Sequence, residues 1–199
     1  MDAGKLTERV QVLSLVQDGD AWRWQTDAVV WAEAELQEKP SIFSKIGISA
    51  NGAKFILRRR ELDLHNAIRW NGRHCFLTYI EEINRRYLEV HAALVEPKAC
   101  ILEETETLYD EYNTPVAGEK KTVSFPACLT EKYLGYAQLE PMAQIESRFV
   151  LVTPKEISLK PGQLVRVEGV PYGVQVPHEL DGFKNEYEIG RKDDVNAGD

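Results

Sequence analysis

The amino-acid sequence predicts an all-β chain built from two related antiparallel units. Three observations carry that reading. Between Ala67 and Leu94, apolar and polar residues alternate with period two on either side of Asn71-Gly72, a dipeptide that tolerates positive φ and suits a two-residue hairpin. The pattern returns between Val165 and Lys192, where an offset of 97 residues carries Ile68 onto Val165 and Gly72 onto Gly169. Upstream, Phe55-Ile56-Leu57 precedes the first meander as Phe149-Val150-Leu151 precedes the second, and Val29-Val30-Trp31-Ala32 has a counterpart in Val123 to Ala127. Repetition at one period marks an internal duplication.

The first unit opens with an extended run from Glu8 to Val16. There Val10 and Val12 share one parity and Leu13 and Leu15 the other, which fits a bulge or strong twist. Gln17 to Asp20 forms a turn, after which Trp22 and Trp24 lie on one face of a short extended piece as aromatic cover over a barrel end. From Asp27 to Leu36, Ala28, Val30, Ala32, Ala34 and Leu36 alternate with Val29, Trp31, Glu33 and Glu35, a half-buried strand. The segment Lys39 to Ala53 breaks the period. Pro40-Ser41 suits a helical turn, but Gly47, Gly52 and the β-branched residues oppose a long helix. Its Ile42, Phe43, Ile46 and Ile48 are too apolar for a solvated loop, so they tuck under the sheet or meet a partner.

A strand from Lys54 to Leu62 then carries Arg58-Arg59-Arg60. Alternation places Arg58 and Arg60 on one face, suited to a solvated surface or to ion pairs between subunits. In the meander itself Cys75, Leu77 and Tyr79 share one face. The corner Glu81 to Arg86 reverses the chain, and Leu88, Val90, Ala92 and Leu94 line the inner side of the last strand. Val95 to Ala99 reads as a linker.

The second unit repeats this plan. Ile101 to Tyr109 is extended, Asp110 to Pro115 turns, and Lys121 to Leu129 places Val123, Phe125, Ala127 and Leu129 on one face. Leu134, Tyr136, Leu139 and Met142 fill an apolar segment, interrupted by Pro141, in the slot matching Lys39 to Ala53. The second meander has a corner about two residues longer, which sets Val90 against Ile189. The tail beyond Arg191 is polar and expected to fray.

Composition narrows the function. The 199 residues suit two domains of about 100. Hydrophobic content of 43% with 28% charged residues is that of an ordinary globular protein, and no apolar run approaches the roughly 20 residues that span a bilayer. The first residues lack the apolar core of a signal peptide, so nothing in them directs export. Cys75, Cys100 and Cys128 cannot complete a disulfide framework and read as buried thiols in a reducing compartment. A net charge of −8 opposes general nucleic-acid binding, although not enclosure of DNA without a grip on it.

Motifs for chemistry are lacking. The four histidines, His65, His74, His91 and His178, are scattered, with no metal-ligand spacing. No nucleophile elbow, Walker loop or dinucleotide fingerprint occurs. The expectation is a structural protein rather than an enzyme, without cofactor or metal.

Residues 1–95 carry a resemblance. The opening Met1 to Val10, the strand Val30-Trp31-Ala32-Glu33, Leu57-Arg58 followed by Ile68-Arg69, Asn71-Gly72 leading to Leu77, and the corner from Glu81 to Leu88 with Arg85-Arg86 stand in an order and spacing similar to the tailed-phage head-tail adaptor family, also called head-closure or stopper proteins. That family usually has an aromatic residue three positions after the hairpin glycine. Here Cys75 holds that place, whereas the second copy has Tyr172. The second copy is itself a departure, since such relatives are mostly single domains.

The resemblance implies a small antiparallel β-barrel for residues 1–95 in a homo-oligomeric ring beneath the portal, and the internal duplication extends this to two tandem small antiparallel β-barrel domains, the second over residues 100–199. Such a ring closes the DNA-filled head and receives the tail. It implies portal or adaptor proteins and tail or tail-terminator proteins as partners. It also implies a place in the virion neck after assembly in the host cytoplasm, with no membrane. The irregular segment between the second and third strands points into the channel in some relatives, which makes Ile42, Phe43, Ile46 and Ile48 the expected plug or contact residues. An acidic ring wall would let duplex DNA pass without trapping its phosphates. Two other readings stand beside this one: a tail-terminator or neck protein with a similar barrel, and a cellular tandem-barrel module that binds peptide or oligonucleotide.

Overall fold

In the computed structural model, residues 3–37, 51–109, 112, 114–131, 148–179 and 181–192 are described. A 3-10 turn, Ala3–Lys5, precedes twelve strands, and the described residues contain no α-helix. The first six strands are β1 (Glu8–Asp18), β2 (Ala21–Gln37), β3 (Gly52–Arg58), β4 (Ala67–Trp70), β5 (Arg73–Ile83) and β6 (Tyr87–Val95). They run in the order β1-β4-β5-β6-β3-β2, and the pairing of β1 with β2 closes the circle. Every contact in it is antiparallel, so this is a closed six-stranded barrel without a free edge.

The second six are β7 (Lys98–Tyr109), β8 (Pro115–Glu131), β9 (Arg148–Pro154), β10 (Leu164–Val167), β11 (Val170–His178) and β12 (Lys184–Arg191). Their order is β8-β7-β10-β11-β12-β9, closed by β8 on β9. Strand for strand, this is the order of the first barrel.

The hairpin turns follow the sequence closely. Asn71 and Gly72 have φ of 50° and 77°, between Trp70 and Arg73, which face each other. Glu168 and Gly169 repeat this with 49° and 86°, between Val167 and Val170. Two consecutive positive φ angles make a type I′ turn, whose twist matches that of the strands.

Each barrel packs its own core. In the first, Val10, Ala32, Phe55, Leu57, Ile68, Trp70, Cys75, Leu77, Leu88, Val90 and Ala92 are buried together, with Phe55 edge-on to Trp70 at 5.6 Å. Removing a side chain such as Phe55 from such a site costs about 3–5 kcal/mol. In the second, Cys100, Leu102, Phe125, Ala127, Leu151, Val165, Val174, Tyr187 and Ile189 play that part. Ile157 and Leu159, from the β9–β10 connection, fold in beneath them.

The register corrects several expectations. The pairing of β5 with β6 shifts between Leu77 and Tyr79, and the Thr78 hydroxyl donates to the His91 carbonyl at 3.0 Å. This bulge turns Tyr79 out of the core, 52% exposed, and brings Ile80 against it, so Tyr79 does not share a face with Cys75 and Leu77. A bulge between Val174 and Val176 leaves Val176 exposed in the same way, 97 residues on.

The second corner is no longer than the first. Leu77 faces Ala92 and Val174 faces Ile189, so Val90 corresponds to Tyr187 rather than Ile189. Phe55 faces Val90 and Leu151 faces Tyr187, so Phe55 corresponds to Leu151 rather than Phe149. The two extended pieces around Trp22 and Asp27 are one strand, β2, and the register shift beside Leu13 falls at Asp27 on that strand. β3 stops at Arg58, short of Leu62. The expected helical turn at Pro40-Ser41 and the tail from 193 onward lie outside the described residues.

Only Glu96 and Pro97 separate β6 from β7. The barrels touch along a buried seam in which Cys128, Val150 and Val152, on the outer face of barrel two, pack against Phe76 and Val95 of barrel one. The tip of the β1–β2 hairpin reaches across it. There Ala21 pairs in parallel with Ser124, the Ser124 N–H donates to the Asp20 carbonyl at 2.9 Å, and Trp22 packs on the second core.

Candidate interaction surfaces

The seam and the hairpin arm frame a cleft of about 970 Å³ between the barrels. Trp22, Arg23 and Trp24 come from the arm, Arg69, Arg73 and His74 from the β4–β5 hairpin, Glu96 from the connector and Lys98 from the start of β7. His74 is 6% exposed and lies between rings, 5.1 Å from Trp24 and 5.3 Å from Phe76. Burial, with the Arg69 charge adding to it, lowers its pKa from 6.5 to about 4, so the imidazole is neutral at physiological pH. Its Nε2 and the Trp24 Nε1 are buried without a hydrogen-bond partner among the described residues. Lys98 is held between Glu96 at 3.4 Å and Glu168 at 3.3 Å, and Arg23 pairs with Asp18 at 2.7 Å. Arg69 and Arg73 have no carboxylate within ion-pair distance among the described residues. The cleft therefore offers aromatic walls and two uncommitted guanidinium groups, a chemistry that receives an anionic group.

A second surface lies on the outer wall of barrel one. Trp31, 55% exposed, Val30, Leu6, Thr7, Arg58, Arg59 and Arg60 line a groove of about 730 Å³. Arg9 faces Trp31 across the β1–β2 pair, with its guanidinium carbon 5.9 Å from the ring centre, a cation–π contact. Arg59 reaches Glu82 of the same chain at 3.2 Å. Because β3 ends at Arg58, strand alternation does not align Arg58 with Arg60, yet both line the groove. Arg58 is exposed, whereas Arg60 is half-buried with an unpartnered Nε.

No family model, curated protein or solved structure matches this chain.

The apolar residues expected to meet partners, Ile42, Phe43, Ile46 and Ile48 with Leu134, Tyr136, Leu139 and Met142, lie outside the described residues. Their segments join β2 to β3 and β8 to β9, equivalent places in the two barrels. Trp22 and Trp24 are aromatic cover, but of the seam and the second barrel rather than of their own barrel's end. The three thiols are free and buried. Burial pushes Cys75 and Cys100 up to about 12 and raises Cys128 as well, which keeps them protonated and unreactive at neutral pH. No group of three or more metal-ligating side chains forms among the described residues. Sequence reasoning missed the inter-barrel cleft. Its lining comes from six separate strands, and the one available signal was the aromatic pair in the arm.

Proposed function

We propose that the protein is a structural virion connector: copies form a ring at the portal vertex of a tailed phage, close the DNA-filled head and join it to the tail. The observation that carries this reading is the pair of edgeless six-stranded barrels with one strand order, each interrupted at the same place, between its second and third strands, by an apolar connection. An apolar connection carried on a closed barrel suits a ring component, because neighbouring copies can cover apolar surface. We take the common order as the mark of a duplicated unit, the second copy adding a tier toward tail or capsid. Net charge of −8 favours passage of duplex DNA without sequence-specific contact. The partners on this reading are other copies of the chain, portal or adaptor proteins and tail proteins.

The test is to mix purified protein with portal-bearing, DNA-filled, tailless heads and image them by electron microscopy. A new ring of density at the portal vertex with DNA retained is the expected result. Decoration of tail tubes instead of heads would replace this reading with that of a tail terminator. The inter-barrel cleft favours a second reading, a tandem-barrel module that binds an anionic peptide or oligonucleotide as a monomer. Binding of neither heads nor tubes by a strictly monomeric protein would move the assignment there.

A further inference from the structure

Among the described residues, barrel one carries two exposed aromatic side chains, one beside arginines and the other beside Glu81. Trp31, on the outer face of β2, stands beside Arg9 and the Arg58 to Arg60 groove. Val29, 49% exposed, extends its apolar surface along the same strand face. Arg9 and Arg58 have no carboxylate partner among the described residues. Tyr79, turned outward by the β5 bulge, has its hydroxyl 3.3 Å from the Glu81 carboxylate and its ring 5.8 Å from that of His91, while Glu89 nearby is paired with Lys54 at 3.1 Å and His91 at 2.9 Å. The Glu81 charge, with smaller contributions from other causes, raises the phenol pKa.

The position of these patches follows from barrel closure. In the cyclic order β1-β4-β5-β6-β3-β2, strands β2 and β5 are three steps apart in either direction, the largest separation a six-stranded barrel allows. Trp31 and Tyr79 therefore look out from different sides of one domain, while Arg59, at the far end of the groove, reaches round to Glu82 on β5 at 3.2 Å. Neither patch is complementary to itself. A two-fold dimer through either would set arginine against arginine or glutamate against glutamate.

We propose that the Trp31 groove receives the Tyr79–Glu81 face of a second copy of this chain, so that copies associate head to tail. Glu81 of one copy meets Arg9 and Arg58 of the next, while Trp31 and Val29 cover Tyr79. Trp, Tyr and Arg are the residue types that dominate interface energies, and a desolvated carboxylate–guanidinium pair between them fixes the direction of docking. Heterologous contacts of this kind close into a ring or run on as a filament, according to the rotation per step. The inference rests on the ring part of the connector reading and supplies the surface through which the ring would form.

Two variants test it, each with one face removed: Arg9→Glu with Arg58→Glu, and Tyr79→Ala with Glu81→Arg. All four positions are on the barrel exterior, and near-ultraviolet circular dichroism confirms that each variant keeps its packing. Trp31→Ser is a second way to remove the basic face. Sedimentation velocity of the wild-type chain should show concentration-dependent oligomers, with each variant associating at least about 30-fold more weakly, as loss of an interface hot spot implies. Mixed together, the two variants should form one-to-one pairs and nothing larger, because each retains the face the other lacks. Assembly of either variant as in wild type, absence of pairs on mixing, or a wild-type chain that stays monomeric and takes an acidic foreign segment into the groove would each overturn the proposal. Normal oligomers that ignore phage heads would remove the connector reading and leave this one standing.

Discussion

The Tyr187 hydroxyl lies 3.1 Å from the Ile157 carbonyl and, at 3.0 Å, accepts the backbone N–H of Leu159. One fully buried side chain on β12 thereby pins the β9–β10 connection across the second barrel. Asn185 and Thr153 add bonds to the same Ile157 carbonyl at 3.0 Å and 3.2 Å. Ile157 and Leu159 can then bury their side chains with the Ile157 carbonyl and the Leu159 N–H both paired. Replacing Tyr187 by Phe preserves the ring but orphans the Leu159 N–H. Urea unfolding should show a loss of about 1–3 kcal/mol with an unchanged slope.

The two type I′ turns make a paired prediction. Gly72→Ala and Gly169→Ala place a β-carbon at φ of 77° and 86°, where nothing lies within 4 Å, so the penalty is conformational rather than steric crowding. Each should lower stability by about 1–2 kcal/mol. Equal losses in the two copies, read from thermal midpoints, would show that the hairpins do the same work in both barrels.

His74 links stability to pH. Its folded pKa of about 4 lies below the ordinary 6.5, so the unfolded chain binds the proton more readily between those values. The stabilisation from a neutral His74 is complete above about pH 6.5 and is lost as pH falls toward 4, up to about 3 kcal/mol in all. Denaturant titrations from pH 7 to 4 should show this decline, and His74→Phe should flatten it.

The seam predicts one cooperative molecule rather than two beads. Limited proteolysis should leave the Glu96-Pro97 connector intact. A calorimetric scan should show a single transition that Trp22→Ala together with Phe76→Ala splits into two. Two transitions in the unmodified chain would mean that the Cys128, Val150 and Val152 contacts add little coupling.

The parts of the fold legible in the sequence are those set by neighbours in the chain. Asn71-Gly72 encodes its own turn, and Leu88, Val90 and Ala92 encode a face, because φ preference and period two act over a few residues. A bulge is decided by the partner strand. The single extra residue near Thr78 therefore left no local mark and sent Tyr79 to the opposite side from the one its spacing predicted. The match of Phe55 to Phe149 was attractive on identity alone, whereas cross-strand register assigns Leu151. Val10, Val12 and Leu13 are all buried, and the change of parity at Leu13 was a legible mark of the register shift against β2 that falls between Val12 and Leu13. Of the interaction surfaces, Arg58 and Arg60 were legible as a charge run. Their groove was not, since Trp31 is brought beside them, and Arg9 beside Trp31, only through strand pairing.

The hairpin arm also imposes an order of events during synthesis. Ala21 leaves the ribosome early, but its partner Ser124 is more than a hundred residues away along the chain. Barrel one can close on its own pairings while Trp22 at the arm tip still lacks the surface it packs on. Until β8 is made, the surface that Trp22 packs on does not yet exist. Capture of the second barrel by the arm then completes the molecule, a late step set by loop closure over a long stretch of chain.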